Sequence, residues 1–232
     1  GGTAQVSVQI ANVGMEDATN ADYSIYLSSD SSITGGGNDV IIGGYQADAV
    51  HSEQDDDTVV GDNGAALFAS NNVPVDVRTT APNDGANDTI YAHDGRDVVL
   101  GGAQSDIIIT YNLAATGHHA DETDQDVVLG DHGRVTFESD GSILTFETTD
   151  PTIGDDDLIY TGNGGDVVAG GTANDTIYGR IYFTDTTQSV TAIEVTDGNT
   201  DEGNDVIFGD NGQALFDSDG VLRSISSSDP DV

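Results

Sequence analysis

Eleven aspartates of this 232-residue chain fall in one phase: Asp39, Asp48, Asp57, Asp88, Asp97, Asp106, Asp126, Asp157, Asp166, Asp175 and Asp205. Within each block, successive members are nine residues apart, and every one has Val or Ile two positions later. Those two types make up only 39 of the 232 residues, so eleven matches exceed what composition supplies. A carboxylate is a hard anionic oxygen donor, which is the kind of ligand Ca²⁺ takes. Acid–base catalysis would instead need one carboxyl kept uncharged in a pocket, and no such pocket is implied by the pattern. No GxSxG elbow, HExxH or Walker loop is present, so no enzyme is expected.

The elements that must hold these aspartates are clearest in Ala92–Ile109, which reads AHDGRDVVL and then GGAQSDIII. A glycine-rich polar half alternates with a short β-branched half. Glycine permits tight backbone turns, and the apolar run reads as a strand buried between two walls. Repetition of such units predicts an all-β fold, a parallel β-roll (a β-solenoid) whose turns bind several calcium ions.

The period sets in at Gly35 and is broken by excursions at Asn71–Pro82, Thr110–Ala120 and Gly179–Val195. Arg134–Glu147 alternates around Ser139-Asp140-Gly141, and Asp217–Ile225 does so around an equivalent turn, both predicting inserted antiparallel hairpins. Three GD(N/H)G segments carry Asp62, Asp131 and Asp210. An outer repeat of 69 residues joins Asp57 to Asp126 and Asp88 to Asp157. Residues 34–232 are therefore expected to form an elongated array of modules at about 53–121, 122–200 and a partial 201–232. Residues 1–33 read as a degenerate repeat with strands at Gln5–Ile10 and Tyr23–Leu27, where Asp30 precedes Ser32 in the apolar slot.

At these residues the chain resembles the RTX family, the haemolysin-type calcium-binding repeats of consensus GGxGxDxUx, over most of 34–216. The resemblance implies a right-handed roll in which a pair of nonapeptides makes one turn and calcium sits between loops one turn apart. The aspartate side chain and loop carbonyls would be its ligands, making the eleven aspartates the candidate set. The glycine pair is kept before Asp48 (Gly43, Gly44), Asp106 (Gly101, Gly102) and Asp175 (Gly170, Gly171). It is missing before Asp57 and Asp157, where Asp55 and Asp155 are alternative donors. Asp62, Asp131 and Asp210 depart from the family pattern by standing at a glycine position. The expectation is that each supplies an oxygen to calcium, while the following Phe68, Phe137 and Phe216 plug the roll. The resemblance also implies type I secretion from a bacterium to the cell surface or beyond.

Composition bounds the partners. Forty-two acidic residues oppose five basic ones, with no Lys, for a net charge of −37. Such a surface repels nucleic acid and anionic membranes. There is no Cys, and no apolar stretch is long enough to span a membrane. The chain opens Gly1-Gly2 without a signal peptide, which reads as a piece of a longer polypeptide. A thin Val/Ile core is expected to be too slim to hold against that charge, so calcium would act as the fold's staple. The function expected is an extracellular structural or adhesive repeat protein whose partners include neighbouring copies in a fibre. The alternatives are a carrier roll of a secreted enzyme and a halophile's acidic domain without specific calcium. His118-His119 beside Asp121 reads as an exposed pair rather than a transition-metal site. His93 and His132 read as loop filler, and Asp197–Asp201 as turn chemistry without the EF-hand glycine.

Overall fold

The computed structural model describes residues 25–27, 32–34, 38–52, 54–70, 73–111, 124–162, 164–179, 182–183, 193–194, 205–218 and 221–227. Among them there are strands and turns and no helix. Each of the eleven aspartates stands immediately before a short strand, as the glycine-rich and β-branched halves require.

Successive strands go alternately to two parallel sheets. The first takes Ile25–Leu27, Val40–Ile42, Thr58–Val60, Val98–Leu100, Val127–Leu129, Val167–Gly171 and Val206–Asp210, side by side in that order. The second takes Ser32–Thr34, Ala49–His51, Thr89–Tyr91, Ile107–Ile109, Leu158–Tyr160 and Thr176–Tyr178. Side chains alternate across a strand, so the middle residue of each three-residue strand from Val40–Ile42 to Leu158–Tyr160 faces inward, as does Val168, whereas Ile207 of the last strand is 48 % exposed. Ile41, Val50, Val59, Ile90, Val99, Ile108, Val128, Ile159 and Val168 are all at 0 % exposure and form one continuous cluster. These are the residues two positions after an aspartate, so the nine-residue period is also the period of the core.

A second apolar layer lies outside the first, which corrects the expectation of a single thin Val/Ile core. Gly64–Phe68 with Pro74–Thr79, Gly133–Phe137 with Ile143–Thr148, and Gly212–Phe216 with Leu222–Ser227 form three antiparallel hairpins. They do not decorate the structure singly: Pro74–Thr79 pairs with Gly133–Phe137, and Ile143–Thr148 with Gly212–Phe216, giving one six-stranded sheet. Its inward residues Val77, Val135, Phe146 and Ala214 are buried in one cluster with Val60, Leu100, Leu129 and Ala169 of the first parallel sheet. Three-residue strands have room for one inward side chain each, so the outward flanks need this cover to leave water.

Phe137 lies in this outer layer, 8 % exposed, and Phe216 packs against it. The expectation that these rings plug the inside of the roll is therefore wrong. Each GD(N/H)G segment instead leads into a strand that bulges at its phenylalanine, between Leu67 and Phe68, Thr136 and Phe137, and Leu215 and Phe216. A bulge inserts one residue and bends the strand.

The second parallel sheet carries an aromatic and apolar ladder. Tyr160 stacks on Tyr178 with ring centroids 5.1 Å apart, beside Ile109 and Tyr111. His51 and His93 stack on Tyr91. His132 is 1 % exposed with Nε2 3.0 Å from the Pro82 carbonyl, so neither His93 nor His132 is loop filler.

In the N-terminal part, Ile25–Leu27 pairs with Val40–Ile42, within the strand expected at Tyr23–Leu27. Ile33 pairs opposite Val50, a register one residue later than Asp30 would set. Tyr182–Phe183 pairs with Ile193–Glu194 inside the third excursion. Gln5–Ile10, His118, His119, Asp121 and Asp197–Asp201 lie outside the described residues.

Candidate metal centre

The alternation between sheets sorts the eleven aspartates into two columns. Asp39, Asp57, Asp97, Asp126, Asp166 and Asp205 precede strands of the first parallel sheet; Asp48, Asp88, Asp106, Asp157 and Asp175 precede strands of the second. Within a column the members are linked. The amide of Asp39 donates to Oδ1 of Asp57 at 2.7 Å, that of Asp57 to Asp97 at 2.9 Å, and that of Asp97 to Asp126 at 3.0 Å. The column continues from Asp126 to Asp166 and from Asp166 to Asp205. In the second column Asp48 donates to Asp88, Asp88 to Asp106, Asp106 to Asp157 and Asp157 to Asp175, at 2.7–2.9 Å. One carboxylate oxygen of every aspartate after the first in its column thus closes a rung.

Oδ2 of Asp88, Asp97, Asp106, Asp157 and Asp175 is buried with no hydrogen-bond donor among the described residues. In the first column Thr110 donates its hydroxyl to Oδ2 of Asp126. Nine of the eleven aspartates, all but Asp175 and Asp205, are at most 5 % exposed. Burial of so many carboxylates is costly unless each charge is met.

Glycines shape the space beside the second column. A Cβ built on Gly61 would lie 2.5 Å from Oδ2 of Asp88 and 2.7 Å from the Gly101 carbonyl oxygen. The same pair of neighbours recurs at Gly101 (Asp106 and the Gly130 carbonyl), Gly130 (Asp157 and the Gly170 carbonyl) and Gly170 (Asp175 and the Gly209 carbonyl). Any side chain at these positions would fill a cradle lined by one carboxylate oxygen and one backbone carbonyl per rung. Among the described residues, no three acidic or imidazole side chains converge on a point. The donor set is therefore mostly backbone carbonyl plus single carboxylates, all oxygen, which fits calcium and not a transition metal.

The electrostatics point the same way. Burial, reinforced by neighbouring carboxylates, pushes Asp57 up to about 7, Asp88 to about 8, Asp157 to about 9 and Asp175 to about 6, from an ordinary 3.8. The amide bonds within the columns offset only part of this. Asp97, Asp106 and Asp126 are raised well above the ordinary range for the same reason. A bound divalent cation is the group that would let these acids ionise in place.

The alternative donors lie elsewhere. Asp55 is exposed at φ 80°, the Asp155 amide donates to Asp131, and Asp56 between Asp55 and Asp57 pairs with Arg96 at 3.0 Å. Asp57 and Asp157 join their columns without a preceding glycine pair, because the columns are set by the strand that follows each aspartate. Asp62 and Asp131 are buried and accept amide hydrogen bonds at both oxygens, whereas Asp210 is exposed. Sequence reading missed Thr110, whose hydroxyl lies sixteen residues before its partner, outside the nine-residue unit.

A family model, the RTX calcium-binding nonapeptide repeat, matches residues 33–66, 84–109, 153–180 and 199–213. These stretches contain every column aspartate except Asp126. No curated protein and no solved structure matches the chain. Apart from Asp126 and Gly130, both columns and the glycine cradle lie in matched repeat, and the model of the RTX calcium-binding nonapeptide repeat matches this chain in four copies.

Proposed function

We propose that the chain is a calcium-folded extracellular structural protein, a right-handed parallel β-roll in which ions sit between loops one turn apart. The column aspartates ligate calcium through the oxygen not used in the rung, together with carbonyls of the stacked glycines. Calcium binding free energy then becomes folding free energy. Extracellular calcium modules typically bind at ~10⁻⁴–10⁻³ M, so the chain stays loose where free calcium is scarce and folds on export. The modules of about 70 residues, at 53–121, 122–200 and from 201, are repeats of one plan and are not separate domains. The role is structural or adhesive, with neighbouring copies as partners, in a protein secreted by a bacterium through the type I route.

The observation that carries this reading is the pair of buried aspartate columns. Adaptation to high salt explains an acidic surface, but not carboxylates at most 5 % exposed and in register. The test is far-UV circular dichroism with light scattering while CaCl₂ is titrated into chelator-treated protein at constant ionic strength. Cooperative gain of β signal with calcium and none with matched NaCl supports the reading, and scattering that rises in the same window supports assembly. β structure already complete in chelator overturns it.

A further inference from the structure

We infer that Asp62 and Asp131 are positioning residues: metal-free clasps that hold two successive loops of the second column at the separation calcium binding needs. The inference rests on the calcium reading above and assigns these two aspartates a task outside ligation.

Asp62 accepts the Ala86 amide at Oδ1 (3.1 Å) and the Ala103 amide at Oδ2 (2.6 Å). Asp131 accepts the Asp155 amide at Oδ1 (3.2 Å) and the Thr172 amide at Oδ2 (2.5 Å). The separations along the chain are 24 and 41 residues in both cases. Two modules have thus built the same bridge from different side chains around it. Both oxygens meet N–H donors, which favour the carboxylate and occupy the lone pairs a cation would need, although burial outweighs them and raises Asp62 to about 6 and Asp131 to about 7.

The bridged loops are those that run into the ligand candidates. Gly85-Ala86 leads to Asp88 and Gly102-Ala103 to Asp106, while the Asp88 amide donates to Asp106 at 2.7 Å. One carboxylate therefore braces both loops of a single rung pair.

The backbone has been cleared for it. The three heavy atoms nearest to a Cβ on Gly85 are all of Asp62, namely Oδ2, Cγ and Oδ1, each within 2.6 Å. Gly102 (φ 126°) and its counterpart Gly171 (φ 123°) pass equally close to Asp62 and Asp131. The chain then leaves Asp62 through Asn63, whose side chain donates to the Asp84 carbonyl at 2.8 Å, into the first hairpin. The clasp consequently ties the antiparallel sheet to the loops of the second column.

Gly85 permits a direct test, because the nearest atoms to a side chain there are those of the clasp. Full-length wild type, Gly85→Ala, Asp62→Gly and the double variant are compared by circular dichroism in calcium titrations, and bound calcium is counted by equilibrium dialysis. Asp62→Asn, which keeps one acceptor, is included as the conservative variant. Each single glycine or alanine change is expected to lower the folding equilibrium constant at fixed calcium about tenfold, the scale of one charge-assisted hydrogen bond. The double variant falls no lower than Asp62→Gly, Asp62→Asn falls between, and the number of ions bound at saturation is unchanged. Equal losses from Gly85→Ala in both backgrounds overturn the clasp. So does a fall in ion number with Asp62→Gly, which would make Asp62 a ligand. A wild type indifferent to calcium sinks the calcium reading itself, a failure visible before any variant is compared.

Discussion

The amide of Asp57 donates to Oδ1 of Asp97 at 2.9 Å, although forty residues separate the two. That bond occupies one oxygen of Asp97 and leaves Oδ2 buried without a hydrogen-bond donor among the described residues. Asn in place of Asp keeps the shape and the bonded oxygen but removes the charge. Asp97→Asn is therefore expected to lose one bound ion and to need more calcium to fold. In chelator the same change is expected to stabilise, because it removes a buried charge with no counter-ion. Asp56→Asn, at an exposed pair with Arg96, should alter stability by less than about 1 kcal/mol. Calcium counting and paired denaturation with and without chelator check all three. A loss of stability in both conditions for Asp97→Asn would contradict its role as a ligand.

Metal-free protein should fold better in acid. The column carboxyls have folded pKa values above their ordinary 3.8: about 7 for Asp57, about 8 for Asp88 and about 9 for Asp157, chiefly through burial. The folded state then binds more protons than the unfolded one between these values. Its stability is fully present at about pH 4 and is lost as pH rises toward 9. Calcium reverses the trend, since ligation needs ionised carboxylates, so the calcium midpoint should rise as pH falls. Circular dichroism from pH 4 to 9, in chelator and at fixed calcium, reads both slopes. Parallel slopes would refute the coupling.

The outer apolar layer should be a main source of stability. Phe146 is fully buried between the antiparallel sheet and the first parallel sheet. Phe146→Ala should cost about 3–5 kcal/mol in saturating calcium, through lost transfer free energy and the cavity left behind. Ile225 follows the same alternation on the last strand of that sheet but is 57 % exposed, so Ile225→Ala should stay within about 0.5 kcal/mol. Denaturant titrations of the two variants compare them directly.

Asp76 links the first two hairpins by accepting hydrogen bonds from Arg78 on its own strand and Arg134 on the neighbouring one. Burial works to raise its carboxyl, and the two guanidinium groups overcome that and hold it below the ordinary range. Both arginines are more than two-fifths exposed, so Arg134→Ala should cost no more than about 1 kcal/mol and the difference should shrink in high salt. A large, salt-insensitive loss would show that the arginine stem packs more than it pairs.

Much of this arrangement was legible because the nine-residue unit encodes two things at once. An aspartate at one position and Val or Ile two later suffice to assign both the column and the inward core, as Asp97 and Val99 illustrate. What stayed hidden is what depends on distant partners. The alternation of Arg134–Glu147 announces a hairpin, yet nothing local tells that Val135 will lie beside Val77 in a shared sheet. Phe137 was placed wrongly for the same reason, since its cover comes from a layer assembled by three separate segments. The amide partners of Asp62, 24 and 41 residues on, were hidden in the same way.

The steps between rungs are 18, 40, 29, 40 and 39 residues in the first column and 40, 18, 51 and 18 in the second. Every step nonetheless advances the sheet by one strand. The fold keeps count in strands and is indifferent to the length of chain spent outside them. The loops between strands are thus the places where chain length varies while the order of the rungs is kept. A lineage built on this plan can acquire new outward-facing segments while its inner frame stays in register.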